Sequence, residues 1–184
     1  NPPLTIIPRF RQWIKEDYPG TKLAITEYNW GGLESMNGAL TQADILGIFG
    51  REQVDLATLW GSPKSSEPTA YTFRMYMNYD GKGGKYGDTW VRSHSTDQGL
   101  LAIYGADRTN DGTLTLMIIN KTNKNLTSNL SLKGFQAAGK AQVYTYSEAN
   151  LRAIVRQDDL GVSTAGFGAT YPANSITLVA IPKG

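Results

Sequence analysis

The stretch Lys22–Gly32, KLAITEYNWGG, sets Glu27, Tyr28, Asn29 and Trp30 in a row directly after the apolar residues Leu23, Ala24 and Ile25. A carboxylate flanked by aromatic side chains is equipped for work on a sugar. Cleavage of a glycosidic bond with retention uses two carboxyl groups about 5 Å apart, one as nucleophile and one as acid/base. It also uses flat apolar surfaces, because the C–H faces of a pyranose stack on aromatic rings. Glu27 suits one of the two carboxyl roles, and Trp30, Tyr28 and Trp60 suit stacking or hydrogen bonding. The plainer readings stand beside these. A Glu at a strand end is often a solvated loop residue, the two Trp side chains could fill a core, and Asn29 could occupy a turn position with positive φ.

Other candidates are weaker. Glu34 falls in a loop, Glu52 at a helix end, and Asp55 at the start of a strand, where a structural role is expected. His94 is the only histidine and there is no cysteine, so a histidine-based triad, a thiolate metal site and a disulfide all lack material. His94 reads as a polar strand residue. DGKGGKYGD (Asp80–Asp88) departs from the phosphate-binding pattern G-x-x-x-x-G-K-[ST]. Asp107, Asn110 and Asp111 offer oxygen ligands for calcium, but the pattern fits a hairpin turn better. Asn120, Asn125 and Asn129 head N-x-[ST] triplets of the kind that Asn-rich turns generate by chance. A net charge of +2 without a basic cluster argues against nucleic acid as a partner. No apolar run approaches the ~18 residues of a membrane-spanning helix.

Stepping outward from Glu27, the elements that would hold it alternate. Ile6, Phe10, Trp13 and Ile14 recur at helical spacing, with Pro8 confined to the first turn and Pro19-Gly20 ending the helix. A strand over Lys22–Thr26 ends at Glu27. A helix over 39–52, a strand over Val54–Trp60 and a helix over 69–79 follow. That order has the rhythm of a parallel sheet or barrel. In such barrels catalytic groups sit at the C-terminal ends of strands, where Glu27 and Trp60 both fall. The rhythm changes at the glycine-rich window 80–88. Beyond it, seven short strand candidates (89–95, 99–107, 113–121, 125–133, 140–148, 151–158 and 175–182) are separated by turns such as the one at Asp111-Gly112. This pattern suggests an antiparallel β-sandwich. The expected fold is therefore α/β plus all-β, with residues 1–80 as the C-terminal portion of a TIM-like (β/α)8 barrel and residues 81–184 as the sandwich. Residues 1–80 supply two strands where a barrel needs eight, so an upstream part is expected elsewhere.

IPRFRQWIKEDYPGTKLAITEYNWGG, followed by GALTQADILGIFGREQVDLATLWG, resembles the C-terminal part of the catalytic module of glycoside hydrolase family 44. The segment DTWVRSHSTDQGLLAIYGADR, with TLMIINKT, is similar to that family's β-sandwich. The resemblance implies a retaining endo-β-1,4-glucanase acting on β-glucans such as cellulose, with xyloglucan or xylan as further substrates. It places Glu27 as the catalytic nucleophile on the seventh barrel strand and Trp60 on the cleft floor after the eighth. It implies no required cofactor, leaves room for a structural calcium in the intact enzyme, and fits a secreted bacterial protein. The acid/base Glu belongs to an earlier strand and has no counterpart here, so the upstream part of the enzyme is the expected partner and the chain alone is expected to be inactive. The alternative is a non-catalytic carbohydrate-binding or scaffold piece, with Trp90, Tyr104, Tyr144, Tyr146 and Tyr171 as its candidate sugar platforms.

Overall fold

The computed structural model describes residues 5–184; the first four residues of the expected barrel portion lie outside this range. The chain is mostly sheet with a few helices. The first helix, α1 (Ile6–Asp17), ends before Gly20, whose φ of +92° turns the chain. Its apolar stripe forms as the spacing predicts, but it is uncovered: Ile6, Phe10 and Trp13 are 57%, 45% and 46% exposed.

Two strands, β1 (Ala24–Tyr28) and β2 (Leu56–Leu59), pair in parallel. The start of the pair is pinned by Asp55, which accepts from the Leu23 N–H at 2.8 Å and from Arg11 Nη2 at 3.2 Å. Those contacts hold its carboxyl below the ordinary range, the Leu23 bond contributing most. Asp55 is thus structural, as its position at the strand start suggests.

Between the strands runs α2 (Met36–Arg51). It begins three residues earlier than the apolar pattern predicts. Ser35 caps it, its Oγ accepting from the Gly38 N–H at 3.1 Å and donating to the Gly32 carbonyl at 2.8 Å. A side chain at Gly38 would run into that same carbonyl. The third helix, α3 (Pro68–Met77), starts with proline in its first position.

The remaining strands are β3 (Thr89–Val91), β4 (Leu101–Arg108), β5 (Thr113–Asn120), β6 (Leu126–Ser131), β7 (Lys140–Ser147), β8 (Asn150–Gly161), β9 (Gly166–Tyr171) and β10 (Ser175–Ile181). Six form one antiparallel sheet in the order β3-β4-β5-β10-β7-β8, and β6 pairs with β9 in a second sheet of two. Strands β5 and β10 lie at the centre and are buried along their whole length. Alternation divides them between two cores. Met117, Ile119, Ile176 and Leu178 meet Ala39, Leu40, Ala43 and Met75 of α2 and α3. Leu114, Leu116, Ile118, Val179 and Ile181 meet Phe167 and Tyr171 of the smaller sheet. The large sheet is thereby covered by helices on one face and by strands on the other. Burial on both faces explains why TLTLMIIN and SITLVAI read as nearly unbroken apolar runs.

Two local expectations change. Strand β9, GFGATY, carries too little apolar pattern to stand out among the seven candidates. His94 lies in the loop after β3 and is exposed. The amides of Lys82 and Gly84, in the glycine-rich window, both bond to Asp80 Oδ1 at 2.8 Å, and the Gly83 N–H bonds to Asn78 Oδ1 at 2.6 Å. The three consecutive amides of Lys82, Gly83 and Gly84 are thereby occupied by the side chains of Asp80 and Asn78.

Candidate active site

The parallel pair β1–β2 carries the residues singled out in KLAITEYNWGG. Its register contains a bulge: Ile25 pairs with Ala57, yet Tyr28 pairs with Leu59, so three steps along β1 match two along β2. An extra residue in one strand re-aims the side chains beyond it. Here Thr26 and Glu27 are both exposed, while Ile25 and Tyr28, on either side of them, are half-buried. The Glu27 carboxylate stands in the open near the C-terminal end of the strand.

Tyr28 goes the other way. Its ring meets Phe49 of α2 edge-on at 5.2 Å, and its hydroxyl accepts from Gln42 Nε2 at 2.8 Å. These contacts anchor Tyr28 on α2. Gln42 is buried and was not singled out in the sequence, because a lone Gln on a helix carries no distinguishing signal.

Asn29 does more than turn the chain. Its Nδ2 donates to the Trp60 carbonyl at 2.6 Å, and its Oδ1 accepts from the Gly31 N–H at 2.6 Å. The Trp60 N–H donates to the Tyr28 carbonyl at 2.8 Å. The residue after β2 is therefore tied from both sides to the end of β1. Positive φ falls on Gly31 and Gly32, at +68° and +61°, rather than on Asn29. Thr58 adds a hydroxyl bond to the Thr26 carbonyl.

Trp30 and Trp60 are 56% and 66% exposed. The structure thus brings the backbone of Trp60 against that of Tyr28 and Asn29, next to Glu27. Glu27, Trp30 and Trp60 line neither the groove of about 980 Å³ over β3 and β4 nor the cavity of about 100 Å³ beside Tyr86.

The weaker candidates resolve into structural roles. Glu52 pairs with Arg51 Nε at 2.7 Å, and Glu34 is an exposed loop residue. Asp111 accepts from Arg108 and from the Thr113 N–H, closing the β4–β5 turn. Asn120 is buried, with its amide donating to three backbone carbonyls. Tyr104, Tyr146 and Tyr171 are each at most 2% exposed, so they cannot form a row of surface platforms with Trp90. Among the described residues no three Asp, Glu or His side chains converge as a metal site would require.

No family model matches the chain. Solved structures do. CelM2, a bifunctional glucanase-xylanase from a metagenome library, superposes with a TM-score of 0.93 at 42% identity, over 97% of this chain and 34% of that one. A glycoside hydrolase family 44 endoglucanase of Clostridium acetobutylium superposes with a TM-score of 0.90 at 30% identity, over 97% of this chain and 36% of that one. The chain belongs to glycoside hydrolase family 44. Among curated proteins, a β-mannanase/endoglucanase A of Caldicellulosiruptor saccharolyticus is 37% identical over 145 residues, 78% of this chain and 11% of the relative. The chain thus spans about a third of the solved family 44 enzyme's length, and it corresponds to the C-terminal part of such enzymes.

Proposed function

We propose that this chain is the C-terminal part of a retaining endo-β-1,4-glucanase in which Glu27 is the nucleophile. The observation that carries the reading is the aim of Glu27. It is exposed near the C-terminal end of a parallel strand, where the register with β2 shifts, and two exposed tryptophans flank that strand end in sequence. In this reading β1 and β2 are the last two strands of a TIM-like barrel, with residues 1–80 as its C-terminal portion and 81–184 as the sandwich domain. The uncovered faces of α1, β1 and β2 meet the strands of an upstream part, whether in the same polypeptide or a second one.

The chemistry follows from one carboxylate here and one supplied upstream. Glu27 attacks the anomeric carbon, the C–O bond to the leaving sugar breaks, and an acid/base Glu protonates the departing oxygen. The same group then takes a proton from water, which displaces Glu27 from the glycosyl-enzyme. Trp30 and Trp60 offer apolar surface to the sugar rings. Tyr28, anchored on Gln42, positions the strand end. The substrates are β-1,4-glucans such as cellulose, with xyloglucan or xylan also accepted. A polymer of that kind is cut outside the cell, which fits a secreted bacterial enzyme. The 184-residue chain alone has no turnover, because a single carboxylate cannot run both displacements.

The test is covalent trapping. A 2-deoxy-2-fluoro cello-oligosaccharide with a good leaving group is incubated with the intact enzyme, and the labelled peptide is mapped. A label on Glu27 is expected, and a label on any other residue overturns the assignment.

A further inference from the structure

Helix α2 is held on two opposite sides. At 3.6 residues per turn, Gln42 and Phe49 share one side, and Asp44 and Gly47 lie about 180° around the helix from them. On the first side, Gln42 Nε2 donates to the Tyr28 hydroxyl at 2.8 Å, and Phe49 meets the Tyr28 ring edge-on at 5.2 Å. Tyr28 directly follows Glu27 and closes β1. On the second side, the Tyr104 hydroxyl of β4 donates to Asp44 Oδ1 at 2.6 Å, and Lys121, just after β5, donates from Nζ to Asp44 Oδ2 at 2.9 Å.

Both oxygens of one carboxylate are thus taken by the large sheet. Tyr104 also fixes the helix sterically, since a Cβ at Gly47 would collide with its ring. Contacts at residues 44 and 47, one turn apart, set both the height and the rotation of α2. Tyr104 is buried, and burial followed by the bond to Asp44 pushes its hydroxyl pKa up, so it remains a donor through neutral pH. The helix needs such support: Gly38, Gly47 and Gly50 stand within its sixteen residues, and each favours helix less than alanine does. Thr72 and Tyr76 of α3 donate to the Ala39 and Ala43 carbonyls at 2.8 Å each. Helix α3 itself rests on the same sheet through Met75. The large sheet is therefore the frame from which α2 is placed.

We propose that Tyr104 and Lys121 are positioning residues for the reaction at Glu27. By holding Asp44 they set where α2 presents Gln42 and Phe49 to Tyr28, and so where β1 ends. Neither touches substrate; both act through the helix. Their role so defined rests on Glu27 being the nucleophile. A reacting carboxylate must be held to a fraction of an ångström, because a displacement of about 1 Å can cost on the order of 100-fold in rate. Loosening one of the two bonds to Asp44 lets α2 shift by less than that, so a smaller loss is expected.

The test uses the intact enzyme and two mild variants. Tyr104→Phe keeps the ring on Gly47 and loses the donor; Lys121→Met keeps the apolar stem and loses the charge. Ile118→Val trims the core on the other face of the sheet and is the control for stability alone. On a soluble β-1,4-glucan, well below the melting temperatures, each of the first two should lower kcat by roughly 5- to 20-fold with KM within about twofold. Ile118→Val should keep kcat within about twofold. An unchanged kcat in both Tyr104→Phe and Lys121→Met overturns the proposal, and so does an equal loss in Ile118→Val. A double-mutant cycle tests the route: with Gln42→Met in place, Tyr104→Phe should lower kcat by at most about twofold further. Losses that multiply in full overturn the relay through α2.

Hydrogen exchange gives a reading without activity. The Trp60 N–H donates to the Tyr28 carbonyl and reports opening of the strand end. It should exchange about 10-fold faster in Tyr104→Phe and at the wild-type rate in Ile118→Val. Unchanged Trp60 exchange in Tyr104→Phe contradicts the relay even where kcat falls. Faster exchange supports it even where a fluorosugar labels a residue other than Glu27, so the two readings fail separately.

Discussion

The side chain of Asn29 spans the two strand ends of the site, donating to the carbonyl of Trp60 at 2.6 Å while accepting from the N–H of Gly31. A single amide thus fixes both the turn after Glu27 and the backbone of the residue that presents the second indole. Asn29→Ala removes both bonds from a solvent-exposed position, where the loss in stability is about 1 kcal/mol. On the proposed role of Glu27, the effect on catalysis in the intact enzyme is larger, because misplacing a reacting group by about 1 Å can cost on the order of 100-fold in rate. Steady-state kinetics on a soluble β-1,4-glucan should show kcat reduced by roughly 10- to 100-fold, with a much smaller change in KM. A wild-type kcat in Asn29→Ala would mean that the strand ends are held by other contacts.

Tyr28 separates an anchoring role from a substrate-binding one. Its hydroxyl is the acceptor for Gln42, which is 2% exposed. Tyr28→Phe leaves that buried amide short of a partner, and a buried unsatisfied donor costs about 1–3 kcal/mol. The expected outcome is a lowered melting temperature with KM for glucan almost unchanged. An unchanged melting temperature with a raised KM would return Tyr28 to the substrate side.

The two glycines late in α2 make opposite predictions from the same substitution. An alanine methyl at Gly50 meets nothing within 4 Å, so Gly50→Ala gains helix propensity worth about 1 kcal/mol. At Gly47 the methyl would collide with the ring of Tyr104, which is buried and hydrogen-bonded to Asp44 at 2.6 Å. Gly47→Ala therefore destabilises by about 1–3 kcal/mol despite the same gain in propensity. Thermal or urea unfolding of the two variants checks the difference in sign.

The two glycines also mark what the sequence could reveal. Glycine in a helix reads only as weakness until the neighbour is known, and the Tyr104 that explains Gly47 lies far along the chain. Local periodicity was enough to place α2, α3 and the long strands, because β5 and β10 are buried on both faces and their apolar runs are strong. It missed β9, whose Gly-rich sequence relies on pairing with β6. It also located Glu27 and Trp60 at strand ends, but not the register shift beside Glu27. A bulge depends on register with β2, and nothing within AITEY encodes it. The roles of Gln42 and Asn29 were hidden for the same reason, since each is defined by a partner on another element.

The β4–β5 turn supplies a test in acid. Hydrogen bonding from Arg108 brings the Asp111 carboxyl from its ordinary 3.8 down to about 2, outweighing the opposing effect of burial. A carboxylate whose pKa is lowered by folding stabilises the fold at pH values above its unfolded pKa. That contribution fades as pH falls below the ordinary value and is lost once the folded group is protonated near 2. Asp111 is 45% exposed, so solvent screening limits the effect to about 1 kcal/mol or less. Arg108 keeps its bonds to the Tyr79 hydroxyl at 3.0 Å and the Lys85 carbonyl at 3.1 Å when Asp111 is replaced, so the variant should fold. Asp111→Asn should melt slightly below wild type at neutral pH, and the gap should close as pH falls from about 4 to about 2. Unfolding curves of both proteins across that range decide it, and a gap that stays constant with pH would show that the pair contributes through shape rather than charge.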